Sequence, residues 1–143
     1  MRESGITVGL GTDGAASNNT LNLFTEAHIA SLMAKHESRD PTQGNAQQTI
    51  AMATLEGAKV LGIDDKVGSL EAGKQADFIA VDLNRLSMLP SYDPFAALLH
   101  GDAGNQVTHA FVSGQALYKD REFTRMDLSE LTAKVREWQS ASI

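Results

Sequence analysis

Among the 143 residues there is no cysteine, so the side chains able to do chemistry are carboxylates, hydroxyls and four histidines. One carboxylate stands apart by its setting. In Val8-Gly-Leu-Gly-Thr-Asp-Gly-Ala-Ala-Ser-Asn-Asn19, alternating Ile6, Val8 and Leu10 predict a short strand that breaks into glycines and then presents Asp13. A carboxylate between Gly11 and Gly14 at a strand's C-terminal end would stand on the edge where α/β proteins place their chemistry. The plainer alternative is that Asp13 only caps a turn. Ser17, Asn18 and Asn19 follow on the same loop, where they could touch a ligand, although capping the next helix is the simpler task.

The other polar residues read as structural. His28 and His36 are eight apart, not at the four-residue spacing that lets two imidazoles on one helix share a metal, and are expected to be structural or exposed. His109 alternates with Val107 and Phe111 and should be partly buried and hydrogen-bonded. Asp77 and Asp82 bound a strand and should satisfy backbone donors nearby. Gly68 and Gly73 flank a turn rather than a phosphate loop, because no Gly-Lys-Ser/Thr follows and no helix opens there.

The elements that must position these groups follow from periodicity. A helix is predicted from Leu21 to about Lys35, capped by Asn18, Asn19 or Thr20, and a second from Ala46 to Leu61 ending at Gly62 as a left-handed cap. Gly57 within the second helix costs about 1 kcal/mol against alanine, so a close backbone approach should compensate. Phe78 to Val81 reads as a short buried strand. Asp93-Pro94 starts a short helix ending at Gly101, and Val107–Val112 with Gln115–Tyr118 form a hairpin around Ser113-Gly114. A last helix runs from Met126 to about Gln139, with Leu128, Leu131, Val135 and Trp138 on its expected buried side.

Composition narrows the function classes. The length suits one domain with a real core. The formal charge of −6, with no run of Lys or Arg, argues against nucleic acid as a partner. No stretch approaches the apolar length of a membrane span and Met1-Arg-Glu-Ser is not a secretory signal, so a cytoplasmic protein is the expectation. Glu3-Ser-Gly5 ahead of Ile6 reads like the end of a helix and its loop, as if earlier units preceded it.

Three stretches together resemble the C-terminal portion of the amidohydrolase superfamily, in particular its cytosine-deaminase-like TRZ/ATZ group of triazine hydrolases and methylthioadenosine/S-adenosylhomocysteine deaminases. They are Gly11-Thr-Asp-Gly-Ala-Ala-Ser-Asn-Asn19, Met52-Ala-Thr-Leu-Glu-Gly-Ala-Lys-Val-Leu-Gly62 and Gly68-Ser-Leu-Glu-Ala-Gly-Lys-Gln-Ala-Asp-Phe-Ile-Ala-Val-Asp82. The resemblance implies an α/β fold: the last strand and helices of a (β/α)8 TIM barrel over residues 1–66, the C-terminal share of a small β-sandwich over 67–126, and a terminal helix over 127–143. It also implies a divalent metal, zinc first and iron as the alternative, whose bound water attacks a ring carbon of a purine- or triazine-like small molecule. Asp13 matches the strand-eight aspartate that binds or flanks the metal and carries the proton. The family's His-x-His pair, its further histidines and its glutamate shuttle have no counterpart here. The chain should therefore be inactive alone, a segment of a hydrolase. The second possibility is a non-catalytic piece that self-associates or complements another chain; a barrel unit standing alone exposes an edge and an apolar face, implying a homo-oligomer.

Overall fold

The computed structural model describes residues 4–141, so the part of the predicted N-terminal helix end that falls on Glu3 lies outside the described residues. Ile6 to Leu10 run without regular secondary structure, not as the expected paired strand. A strand needs a neighbour to accept and donate its backbone bonds. The neighbour here is a helix, with Leu10 N donating to Met52 O at 3.0 Å.

Four helices form one layer. Helix α1 spans Leu23–Ser38, starting later than predicted because Asn22, rather than Asn18, Asn19 or Thr20, accepts the Phe24 N–H as the cap. The single helix expected over 46–61 is two, α2 (Ala46–Met52) and α3 (Leu55–Leu61). The break has a local cause. Met52 O is taken by the Leu10 N–H, and Thr54 Oγ1 bonds back to Ile50 O at 2.8 Å, so the ladder does not continue through Thr54. Gly62 closes α3 in the left-handed conformation, as the sequence predicts. Helix α4 spans Pro94–His100, with Asp93 accepting the Phe95 N–H and proline in the first turn.

The second layer is one antiparallel sheet of β1 (Phe78–Val81), β2 (Val107–Val112), β3 (Gln115–Lys119) and β4 (Glu122–Phe123), ordered as a meander. The predicted hairpin is present, with Ser113 and Gly114 both at positive φ in its turn. Lys119 to Glu122 makes a second tight turn into β4, a strand too short to stand out in the sequence. Phe78 faces Phe111 across the β1–β2 ladder, and their rings stack at 4.6 Å. As expected, Asp77 and Asp82 cap backbone donors, those of Ser113 and Asn84.

Burial departs from the expectation of a full core. Among the described residues the buried apolar side chains are Ala27, Ala58, Met88, Leu99 and Ala103, with Ser31 and Thr49 as buried polar ones. Strand β1 is not buried: Phe78 and Ile79 are both exposed. Helix α5 (Leu128–Ala141) buries none of its residues, and Leu128, Leu131, Val135 and Trp138, expected on a buried side, are all exposed. The periodicity is that of an amphipathic helix, but the described residues leave Leu128, Leu131 and Val135 of its apolar stripe exposed.

Candidate active site

The extended segment reaches its position by close packing on α3. Neither Gly9 nor Gly57 has a side chain; a Cβ on Gly9 would stand 2.9 Å from Gly57 Cα. With the Leu10–Met52 bond, this contact fixes where the segment leaves the helix. Three residues further, Asp13 adopts a φ of 59°, the left-handed region that aspartate tolerates better than most residues because its short polar side chain bonds locally.

Those local bonds orient the carboxylate. Asp13 Oδ1 accepts the Gly14 N–H at 2.7 Å, and Oδ2 accepts the Ser17 hydroxyl at 3.0 Å. Ser17 also reaches Gly14 O. Asp13 is exposed, and among the described residues it forms no salt bridge, so each oxygen accepts one hydrogen bond from them and keeps a further lone pair. Gly9, Leu10 and Gly11 line an apolar groove of about 880 Å³ that runs over α3 to Phe78 and Phe111. Asp13 is not among the residues lining the groove, so the carboxylate and this apolar groove are separate features.

The residues flanking Asp13 do other work than the sequence suggests. Ser17 braces the aspartate instead of capping α1. Asn18 accepts the Thr20 and Leu21 N–H groups and donates to Glu26 Oε1 at 2.6 Å, tying the loop to the first turn of α1. The bracing by Ser17 has a sequence signal in hindsight: an Asp and a Ser four apart across a glycine turn can close a local ring.

The histidines lie elsewhere. His36 is exposed. His109 is part-buried, bonded to Thr108 Oγ1 at 3.0 Å and lying 3.3 Å from Asp120 Oδ1, as its alternation predicts. His28 and His100, from different helices, meet each other, a pairing that nothing in their spacing announces. Burial, with His28 and Lys35 nearby, holds the His100 imidazole below its usual value.

A catalytic zinc takes three protein ligands and keeps one position open. Among the described residues no group of three or more His, Asp or Glu side chains could hold a metal. The described residues therefore do not make up a catalytic metal centre by themselves.

A family model described as "Amidohydrolase family" matches residues 1–117. Over 139 residues the chain is 42% identical to a 5-methylthioadenosine/S-adenosylhomocysteine deaminase of Teredinibacter turnerae, covering 97% of this chain and 31% of the relative. It is 43% identical over 136 residues to such a deaminase of Syntrophus aciditrophicus, covering 95% of this chain and again 31% of the relative. Among solved structures, an adenosine deaminase from Xanthomonas campestris with bound zinc superposes with a TM-score of 0.93 at 37% identity, over 98% of this chain and 32% of that one. An atrazine chlorohydrolase from Arthrobacter aurescens complexed with zinc gives 0.84 at 31%, over 95% of this chain and 30% of that one. The chain thus spans about a third of the length of the proteins it matches.

Proposed function

This chain belongs to the amidohydrolase family, and we propose that it is the C-terminal segment of a metal-dependent aminohydrolase, contributing Asp13 to a centre it does not complete. The substrate class we infer is a purine nucleoside-like or triazine-like small molecule, after the names carried by the relatives and the solved neighbours. Residues 1–66 would be the last βα unit of a TIM barrel, 67–126 the C-terminal share of a β-sandwich and 127–143 a terminal helix. The cytoplasm is the compartment proposed.

The observation that carries this reading is the placement of Asp13. An extended segment locked against α3 through Gly9 and Gly57 ends in an exposed carboxylate held by Gly14 and Ser17, as a barrel strand presents a residue at its C-terminal edge. A zinc or iron ion, when bound in the assembled enzyme, would supply a nucleophilic water at neutral pH. This chain's part is narrower. The carboxylate of Asp13 offers a lone pair and a proton acceptor, and Ser17 and Gly14 hold its rotation.

The alternative, a non-catalytic piece that self-associates or complements another chain, draws on the exposed apolar stripe of α5 and the exposed face of β1. Activity separates the two. The isolated chain with added zinc is expected to deaminate neither adenosine-type nor triazine substrates; turnover by it that is lost in Asp13→Ala would overturn the segment reading. In a full-length enzyme carrying this segment, Asp13→Asn should lower kcat by about 10²–10⁴-fold. Unchanged turnover there would remove Asp13 from the chemistry and favour the non-catalytic alternative.

A further inference from the structure

His28, on α1, and His100, the last residue of α4, are 72 positions apart and meet ring to ring. Their ring centroids are 5.2 Å apart at an interplanar angle of 82°, and the two Nδ1 atoms face each other at 3.1 Å. His28 Nδ1 is also 3.2 Å from Leu99 O. That carbonyl belongs to the last turn of α4, where helix geometry provides no N–H to meet it.

Protons serve this trio poorly. A neutral imidazole carries one N–H and one lone pair. If His28 Nδ1 donates to Leu99 O, His100 Nδ1 receives at best a shared fraction of the same proton. If His100 Nδ1 donates to His28 Nδ1, the lone pairs of His28 and Leu99 O are left facing each other. A cation that accepts an electron pair from each atom satisfies all three at once. Metal–imidazole bonds of about 2.0–2.1 Å, at angles between octahedral and tetrahedral, place two nitrogens roughly 2.9–3.4 Å apart. The observed 3.1 Å lies inside that range.

We propose that His28 Nδ1, His100 Nδ1 and Leu99 O form a binding site for one borderline divalent transition metal, such as zinc or nickel, which clamps the end of α4 to α1. Imidazole with a carbonyl oxygen suits such ions rather than calcium or magnesium, which take oxygen ligands throughout. The pair lines a cleft of about 330 Å³ together with Asn22, Asp102 and Asn105, which leaves room for water in the remaining coordination positions. Charge around the site is balanced. Asp102 brings a carboxylate to the cleft, held ionised by Asn105 and Gln106. Lys35 opposes a cation, but its ammonium is directed to Ser31 Oγ and the carbonyls of Gln43 and Gly44. With two imidazoles the site is weaker than a three-ligand zinc centre, and Asp13 takes no part in it.

The test is calorimetric titration of the full chain, first stripped with a chelator, using zinc alone and nickel alone, with the melting temperature read in parallel. One equivalent should bind and raise the melting temperature. His28→Ala and His100→Ala should each weaken binding by roughly tenfold or more, while His36→Ala binds like the parent. His100 is exposed, so His100→Ala carries the test even if His28→Ala fails to fold. No saturable binding by the folded parent would mean that the pair shares only a proton, and would overturn the proposal. Binding undiminished in His100→Ala would overturn it equally. The pair shares no residue with Asp13, so failure here is distinguishable from failure of the catalytic reading, which turnover of the full-length enzyme tests.

Discussion

Gly9 and Gly57 touch backbone to backbone: a methyl group on Gly9 would stand 2.9 Å from the Gly57 Cα, inside van der Waals contact. The extended segment and α3 therefore meet where neither carries a side chain, and everything downstream to Asp13 is placed by that contact.

Gly9→Ala should force the segment off α3, because the atom it would crowd at 2.9 Å, Gly57 Cα, is backbone and cannot rotate away. The expected loss is about 1–3 kcal/mol of stability, read as a fall in the urea midpoint. Gly11→Ala is the control, since a Cβ there meets nothing within 4 Å. Equal effects at the two positions would show that the contact does not organise the segment.

Ser17 is a positioning residue for Asp13, through the 3.0 Å bond to Oδ2. In a full-length enzyme carrying this segment, Ser17→Ala should lower metal affinity or kcat roughly 10–100-fold, with KM nearly constant. Ser17→Thr, which keeps the hydroxyl, should recover most of the loss. A change confined to KM would assign Ser17 to substrate contact instead.

His100 makes stability depend on pH in a definite direction. Partial desolvation of the ring against α1 first, then the neighbouring His28 and Lys35, lower its pKa in the folded state below the ordinary 6.5, although the residue as a whole is exposed. Between the two values the unfolded chain binds more protons than the folded one, so stability rises with pH through that window. It is lost as pH falls from 6.5 through the folded value. Urea midpoints measured from about pH 5 to about pH 7.5 in chelator should climb, and His100→Gln should flatten the climb. An unchanged slope in that variant would place the dependence elsewhere.

The apolar stripe of α5, exposed at Leu128, Leu131, Val135 and Trp138, is expected to drive the isolated chain into oligomers. Leu131→Glu with Val135→Lys should shift sedimentation at micromolar concentration toward monomer without lowering the melting temperature. A parent chain that already sediments as a monomer would end the self-association proposal.

Much of the local structure was legible in residue types. Asp93-Pro94 starts α4 because a carboxylate satisfies a first-turn N–H and proline lacks one. Ser113-Gly114 turns the hairpin because both residues take positive φ, and Gly62 ends α3 for the same reason. Asp13 itself stood out by its flanking glycines. These features are decided within a few residues of chain, so a linear reading reaches them.

Three things were decided only by residues distant in sequence. The helix over 46–61 divides because Met52 O goes to Leu10 N, 42 positions away, which no helical periodicity records. The apolar run of β1 and the stripe of α5 announce buried faces, but such patterns state only that a face is apolar, and whether anything covers it depends on what else is folded against it. His28 and His100 carry no signal at all in their spacing, and the contact between α1 and α4 alone brings their nitrogens together. The sequence by itself determined the turns and the Asp93 and Gly62 caps, since each depends on local backbone chemistry. The tertiary structure decided burial, the break between α2 and α3 and the imidazole pair, since each depends on which surfaces meet.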